Sequence, residues 1–217
     1  MKSSCLLTRR ADMTRQAFRE YYECSHAPLG MRYFPFQKYL RNHVLESSSE
    51  IDFDVIMESC FSDQVDVAAI NHGDVRSIMD RDERTFMTQD LIRSASVDEK
   101  VLGGPPIDIA APGTRRLMLL LNVRDSAIQP SLDEIARPWA TDLACLPGVK
   151  RVSLDTAKRQ VAGYGGFPCA AILSLWLEGS IPSVNALAAP DPLKLETCVL
   201  TQVYETPSEE LAARYRS

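Results

Sequence analysis

The sequence lacks the motifs that usually mark a nucleotide or metal site. It contains no Gly-x-Gly-x-x-Gly, no phosphate-binding P-loop and no Gly-x-Ser-x-Gly, and the glycine-rich run at residues 163–166 lacks the strand-to-helix setting of a phosphate loop. Its six cysteines include no Cys-x-x-Cys pair, and no histidine lies at zinc-ligand spacing from them. We therefore expect no metal and no nucleotide cofactor, and we expect six reduced thiols in the core.

Long apolar runs and an excess of basic residues are also missing. No segment approaches the roughly 18 apolar residues of a membrane span, and the N-terminal residues show no signal-peptide pattern. The formal net charge of −5 argues against nucleic acid as a partner. Because 45% of the 217 residues are apolar, the chain can bury a proper core. The sequence therefore predicts a soluble, cytoplasmic protein without membrane or nucleic-acid partners.

Apolar periodicity and turn residues predict the element order βαββαβ twice along the chain. In the first copy we expect strands at residues 5–8, 39–44, 53–61 and 92–101, and helices at residues 14–28, 62–70 and 75–86. In the second copy we expect strands at residues 117–123, 148–154, 170–177 and 199–204, and helices at residues 131–143 and 183–187. Glycines and prolines at residues 103–113 mark a linker.

This repeated order predicts the fold class. We expect an α+β protein of two tandem ferredoxin-like units, residues 1–110 and 111–217. Each unit should form a four-stranded antiparallel sheet with its helices on one face. The free face of each sheet needs a partner, so we expect the two sheets to stack as an α+β barrel.

Histidines are scarce, and all three lie in the first third of the chain as His26, His43 and His72. Histidine exchanges protons near neutral pH without heavy tuning, so we expect any acid–base chemistry in the first unit. His72 lies at a helix break, and we interpret it as a surface residue. His26 comes just before Ala27-Pro28 at a helix end, where it either caps backbone carbonyls or takes part in catalysis.

The alternation of apolar residues assigns faces to the predicted hairpin at residues 39–61. Leu40, Val44 and the odd-numbered residues from Phe53 to Phe61 should pack on the helices. The opposite face then carries Tyr39, Arg41, His43, Asp54, Ile56, Glu58 and Cys60. If Val44 lies across from Phe53, His43 lies across from Asp54 with Cβ atoms about 5 Å apart. This polar face is either an ordinary solvated surface or, if a second sheet encloses it, a ligand site.

Several other residues have both a structural and a functional interpretation. Tyr22 and Phe36 either fill the core or contact a substrate, and Trp176 either fills the core or forms a pocket wall from the second unit. We interpret the charged run at residues 80–84 as a solvated helix face with ion pairs three and four residues apart.

Five short motifs together resemble the EthD family of dimeric α+β barrel proteins. They are Leu7-Thr8-Arg9-Arg10, Thr14-x-x-x-Phe18-x-x-Tyr21-Tyr22 leading to Ser25-His26-Ala27-Pro28-Leu29, Lys38-Tyr39-Leu40-Arg41-Asn42-His43-Val44, Asp52-Phe53-Asp54 and Asp82-Glu83-Arg84-Thr85-Phe86. The second half matches only the superfamily order of strands and helices, and it contains no His-Ala-Pro. The resemblance implies a ferredoxin-like unit that pairs with another to close a barrel, and small apolar or aromatic ligands bound between sheet and helices. Enzymes of this superfamily include cofactor-free monooxygenases, cyclases, isomerases, decarboxylases and haem-handling proteins.

We therefore predict an enzyme, without metal or nucleotide, that performs acid–base chemistry on a small apolar or aromatic carbonyl or phenolic compound. It would be of the isomerase, lyase or cyclase type. The predicted catalytic residues are His43, Asp54, His26 and Arg41, and the predicted substrate contacts are Tyr22, Tyr39, Phe36, Glu58 and Trp176. In this hypothesis Asp54 orients His43 as the general base or acid, and Arg41 stabilises an enolate or carboxylate. Tyr39 and His26 orient the ligand.

Two alternatives to this prediction remain at the level of the sequence. One is a non-catalytic binding or accessory protein of a catabolic or biosynthetic pathway, and the other is an oxygen- or haem-using barrel enzyme. The protein would be a monomer whose two units pair internally, or a homodimer.

Overall fold

The computed structural model describes residues 1–105, 109–124, 131–179 and 182–216. In the first half they form β1 (Lys2–Leu7), α1 (Arg15–Tyr21), a π turn (Tyr22–His26), α2 (Ala27–Tyr33), β2 (Lys38–Ser47), β3 (Val55–Cys60), α3 (Val67–Ile70), α4 (Gly73–Phe86), a 3₁₀ turn (Gln89–Leu91) and β4 (Arg93–Gly103). In the second half they form β5 (Arg115–Val123), α5 (Leu132–Ala144), β6 (Val149–Gln160), β7 (Ala171–Leu177), β8 (Leu193–Glu205) and α6 (Ser208–Arg214).

All eight strands pair antiparallel in one closed barrel, in the order β1-β3-β2-β8-β5-β7-β6-β4. Strands β4-β1-β3-β2 and β8-β5-β7-β6 are the two ferredoxin-like sets, each with its fourth and first strands adjacent. Pairing of β2 with β8 and of β4 with β6 joins the two sets along both edges. The predicted fold class is confirmed, and the barrel closes within one chain. The expected stacked sheets meet at their edges because this pairing satisfies backbone groups that separate sheets would expose.

Most predicted elements are present, and their ends follow local sequence signals. Thr14 caps α1, with its hydroxyl oxygen accepting from the Ala17 backbone N–H at 3.1 Å. The expected helix at residues 183–187 is wrong, because that segment is a turn in which Ala186 N–H donates to the Ser183 carbonyl at 3.0 Å. The Ser183 hydroxyl accepts from the Asn185 N–H at 3.3 Å, which favours the turn over a helix. The expected linker partly lies outside the described residues, at residues 106–108.

The register of β2 and β3 corrects the predicted faces of the hairpin. Tyr39, Arg41 and His43 pair with Ser59, Met57 and Val55, so they share the face that packs on the helices. Leu40, Asn42 and Val44 share the barrel interior with Ile56 and Glu58. The prediction is wrong by one residue because both faces of β2 are covered: every residue from 39 to 44 is buried, so apolar alternation carries no information there.

The two units fill the space between sheet and helices differently. In the second unit, α5 packs on leucine-rich strands through Ala136, Ala140 and Leu143. In the first unit, aromatic residues such as Phe18, Tyr22 and Phe86 form the corresponding core.

All six cysteines are free thiols, but Cys24 and Cys145 are exposed rather than in the core. Within the described ranges, no helix is long and apolar enough to cross a membrane.

Candidate active site

A π turn between α1 and α2 brings three polar side chains of the first unit toward the sheet. This turn (Tyr22–His26) joins α1 to α2 as one continuous helical segment with a wider turn in the middle. Such π turns recur at functional sites because the extra residue redirects the side chains around it. Here it buries Tyr22 and His26 and directs Glu23 at β2.

His26 forms a dyad with Asp82 of α4. Its Nδ1 lies 2.6 Å from Asp82 Oδ2, and the Tyr21 hydroxyl donates to Asp82 Oδ1 at 2.8 Å. Burial raises the pKa of Asp82, but the hydrogen bonds from His26 and Tyr21 outweigh burial and hold that pKa below its usual value. The ring of His26 lies 4.9 Å from those of Tyr22 and Phe86, centre to centre. The dyad therefore fixes the ring, with its Nε2 free of any described partner.

Beside this dyad lies a cavity of about 900 Å³ between the sheet of the first unit and its helices. The size suits a small multi-ring molecule. Its floor comes from four strands, its roof from the helical segments and its rim from the β6–β7 connection of the second unit. The lining includes Ser3, Cys5, His26, Phe34, Phe36, Tyr39, Met57, Ser59, Phe61, Arg76, Met79, Asp80, Glu83, Gln89, Ser94, Ser96 and Tyr164. His26 thus lines a cavity of mixed polar and apolar residues between the sheet and the helices.

Tyr39 lines the same cavity as His26. Its ring stacks on Phe36 with centroids 4.4 Å apart, and its hydroxyl lies 3.2 Å from that of Tyr22. Burial raises the pKa of Tyr39 to about 12, although the Arg41 guanidinium, 4.7 Å above the ring, opposes this rise. The phenol is therefore neutral at physiological pH and available as a hydrogen-bond donor.

His43 occupies an enclosed position away from the cavity lining. It is 1% exposed, and its Nε2 lies 2.7 Å from Glu23 Oε1. The rings of Phe18, Tyr22 and Tyr204 surround it. Burial lowers the pKa of His43, with Glu23 acting in the opposite direction.

Arg41 completes this buried cluster. It donates to Glu23 Oε2 at 2.8 Å, which ties the π turn to β2, and to the hydroxyl of Thr206, directly after β8, at 2.7 Å. The predicted role of Arg41 in binding an oxyanion has no support in its position, since its hydrogen bonds go to the protein itself. His43 and Arg41 hold the π turn in place.

The expected pairing of His43 with Asp54 is wrong. Asp54 lies before β3 and accepts hydrogen bonds from Arg9 Nε at 3.2 Å and Arg15 Nε at 3.0 Å. The one-residue error in the face of β2 explains the discrepancy, because a side chain on the helix-facing side cannot reach Asp54 across the strand.

Glu58 and Trp176, two of the predicted substrate contacts, lie together inside the barrel. Arg116 connects them: its guanidinium pairs with Glu58 and lies 4.2 Å from the Trp176 ring centroid. They therefore belong to a charged barrel interior. Of the predicted substrate contacts, Phe36 and Tyr39 line the cavity, and Tyr22 lies behind Tyr39.

The sequence predicted that Asp82 and Glu83 lie on a solvated helix face, but both belong to the candidate site. Asp82 binds His26, and Glu83 lines the cavity at 8% exposure. A signal was available, since Met79 and Phe86 lie seven residues apart and place positions 82 and 83 on the same face of α4. Within the described parts of the chain, no three His, Cys, Asp or Glu side chains form a group that could hold a metal ion.

The structure defines the class of protein as an α+β barrel with a cavity of about 900 Å³ in its first unit. Residues 10–90 match the model of the EthD domain, the family that the motifs of the first unit resemble. Two solved structures share the fold across nearly the whole chain. One is described as an anthrone oxidase-like protein, with a TM-score of 0.67, 12% identity and coverage of 95% of this chain and 92% of the other. The second is described as a monooxygenase of Fusobacterium nucleatum, with a TM-score of 0.53, 10% identity and coverage of 94% and 92%. No curated protein sequence matches the chain.

Proposed function

We propose that this protein is a cytoplasmic enzyme that moves protons on a small apolar or aromatic carbonyl or phenolic compound without a bound cofactor. The observation that carries the proposal is the His26–Asp82 dyad, with Nδ1 and Oδ2 2.6 Å apart, on the wall of a cavity of about 900 Å³. A carboxylate that accepts from Nδ1 fixes the tautomer in which Nε2 is the base.

In the proposed reaction, His26 Nε2 takes a proton from a carbon whose electron pair can delocalise onto the ligand's carbonyl oxygen. That carbon lies next to the carbonyl group or, as in the methylene group of anthrone, across an aromatic ring system from it. The electron pair of the broken C–H bond forms a C=C bond, and the carbonyl oxygen becomes an enolate. Tyr39, kept neutral by burial, donates a hydrogen bond to that oxygen. Return of the proton from His26 to a different atom completes an isomerisation. The first unit, residues 1–110, would carry this single site, while the second unit contributes Tyr164 to the rim.

A second candidate function begins with the same proton transfer. The anthrone oxidase-like and monooxygenase neighbours favour a reaction with dioxygen. An enolate or phenolate of an electron-rich ring can reduce dioxygen, and for anthrone the balanced outcome is anthraquinone and water. A ligand carrier that serves a partner enzyme is the non-catalytic alternative, and it requires neither step.

Hydrogen–deuterium exchange at the methylene group of anthrone in deuterated buffer tests the proposal. Without dioxygen, wild-type protein should accelerate exchange, and His26→Gln should lower the rate about 10²-fold to 10⁴-fold. Admission of dioxygen then separates the two enzymatic candidates, because only the oxidative reaction consumes it. Equal exchange rates with wild type and with His26→Gln would remove His26 as the base.

A further inference from the structure

Glu83 is a buried carboxylate that faces the cavity with one oxygen unused. The residue is 8% exposed and follows Asp82 on α4. Its Oε2 accepts from Arg76 and, at 2.7 Å, from Gln89 Nε2. Its Oε1 makes no hydrogen bond with any residue that the structure describes, and Glu83 lines the cavity. The proposed proton transfer at His26 makes no use of this group.

The charges around Glu83 leave its negative charge partly uncompensated. The Arg76 guanidinium is shared between Glu83 and Asp80, since its Nε also donates to Asp80 Oδ1 at 2.7 Å. Two carboxylates therefore share one cation, while the other cationic side chain in the cavity lining is Arg159. Glu83 Oε1 is open to the cavity and has no partner among the described residues, so it can accept a hydrogen bond from a donor on whatever fills the cavity.

We propose that Glu83 selects ligands that carry a second hydrogen-bond donor, a hydroxyl or amino group, away from the group on which His26 acts. The inference rests on the proposed function only for the location of the ligand. The donor would bind Oε1, and a carboxylate or an ether at the same position of the ligand would be rejected. The predicted aromatic ligand then becomes a compound with polar groups at two separate positions.

The arrangement of donors allows a variant that inverts this preference. In Glu83→Gln, the amide oxygen should take the position of Oε2, because Arg76 and Gln89 both donate there. The amide NH₂ then replaces Oε1 at the cavity and turns an acceptor into a donor. The volume and shape of the side chain stay nearly the same, so the lining is preserved.

Fluorescence titration with three naphthalene probes measures the affinities that this inversion should change. The probes are naphthalene-2,7-diol, its monomethyl ether and 2-naphthol. Hydrogen bonds to charged groups contribute more than neutral ones. We therefore expect wild-type protein to bind the diol at least about 10-fold more tightly than the ether. In Glu83→Gln that ratio should fall by about 10-fold or reverse, while the affinity for 2-naphthol, which lacks the second group, stays within about twofold.

Glu20→Gln is the matched control, because it makes the same chemical change at an exposed position of α1 and should leave every affinity unchanged. Thermal unfolding of both variants checks that the fold is kept. A ratio equal in wild type and Glu83→Gln, or no binding of the diol at millimolar concentration, overturns the proposal. The ratio should persist in His26→Gln, so a failure of His26 as the base is distinguishable from a failure of Glu83 as the selector.

Discussion

Asp155 lies inside the barrel under conditions that make its ionised form costly. The residue is 1% exposed, its Oδ1 accepts from Lys2 Nζ at 2.7 Å, and its Oδ2 is buried without a partner among the described residues. Lys2 also pairs with Glu58 at 2.7 Å and with Glu99 at 3.0 Å, so one ammonium group serves three carboxylates. Burial first, and then repulsion from Glu58 and Glu99, raise the pKa of Asp155 from 3.8 to about 6, against the attraction of Lys2.

The raised pKa of Asp155 fixes the sign and size of the effect of Asp155→Asn. The folded state holds the proton more tightly than the unfolded state, so stability is lost as pH rises from 3.8 through about 6. Each pKa unit corresponds to about 1.36 kcal/mol, so the full cost of ionisation is about 3 kcal/mol. Asparagine resembles the protonated acid and escapes this cost. We therefore expect Asp155→Asn to raise the free energy of unfolding by about 1–3 kcal/mol at pH 8, and by almost nothing below pH 4.

Urea unfolding at several pH values, followed by tryptophan fluorescence, measures this difference. Asp98→Asn is the matched control, because Asp98 is exposed on β4 and pairs with Lys158 at 3.3 Å. Its effect should stay within about 0.5 kcal/mol. A less stable Asp155→Asn variant at pH 8, or a stability difference that does not change with pH, would show that ionised Asp155 does not destabilise the folded state.

Four further predictions concern side chains of the first unit and the cysteines of both units. Asp82→Asn should slow anthrone exchange less than His26→Gln does, because it perturbs only the tautomer of His26; an unchanged rate would contradict the dyad. Tyr39→Phe should lower the exchange rate about 10-fold or more while unfolding changes little, and an intact rate would exclude it as the donor. Glu23→Gln should cost about 3 kcal/mol of stability in urea unfolding, since Arg41 loses its buried partner, and should slow exchange per folded molecule less than His26→Gln does. Thiol titration of the unfolded, unreduced protein should find all six cysteines, and fewer would indicate disulfides.

The sequence could predict the tandem fold because strand order and turn residues are local signals. Thr14 and the paired aromatic residues that follow it predict α1, and the repeated βαββαβ order predicts the two sets of strands. It could not predict which face of β2 holds His43, since residues on both faces of that strand are buried. Only the observed register, with His43 opposite Val55, assigns that face.

The candidate site was predictable only in part for a related reason. The motif Ser25-His26-Ala27-Pro28 identifies His26, but its partner Asp82 lies 56 residues away on another helix. No local pattern joins the two residues, and the π turn that aims His26 has no signal in the sequence. Charge alone made Asp82 and Glu83 look like solvated residues, whereas the partners His26, Tyr21, Arg76 and Gln89 make their burial favourable.

The proposed proton transfer requires that His26 presents an unprotonated Nε2 to the cavity, and nitrogen NMR of histidine-labelled protein measures this. The Nδ1–Asp82 Oδ2 distance of 2.6 Å requires the proton of neutral His26 to lie on Nδ1. We expect the His26 signals, assigned by their loss in His26→Gln, to show the Nδ1–H tautomer when the ring is neutral. A proton on Nε2 in the neutral ring would contradict the claim, because His26 would then have no base to offer a ligand.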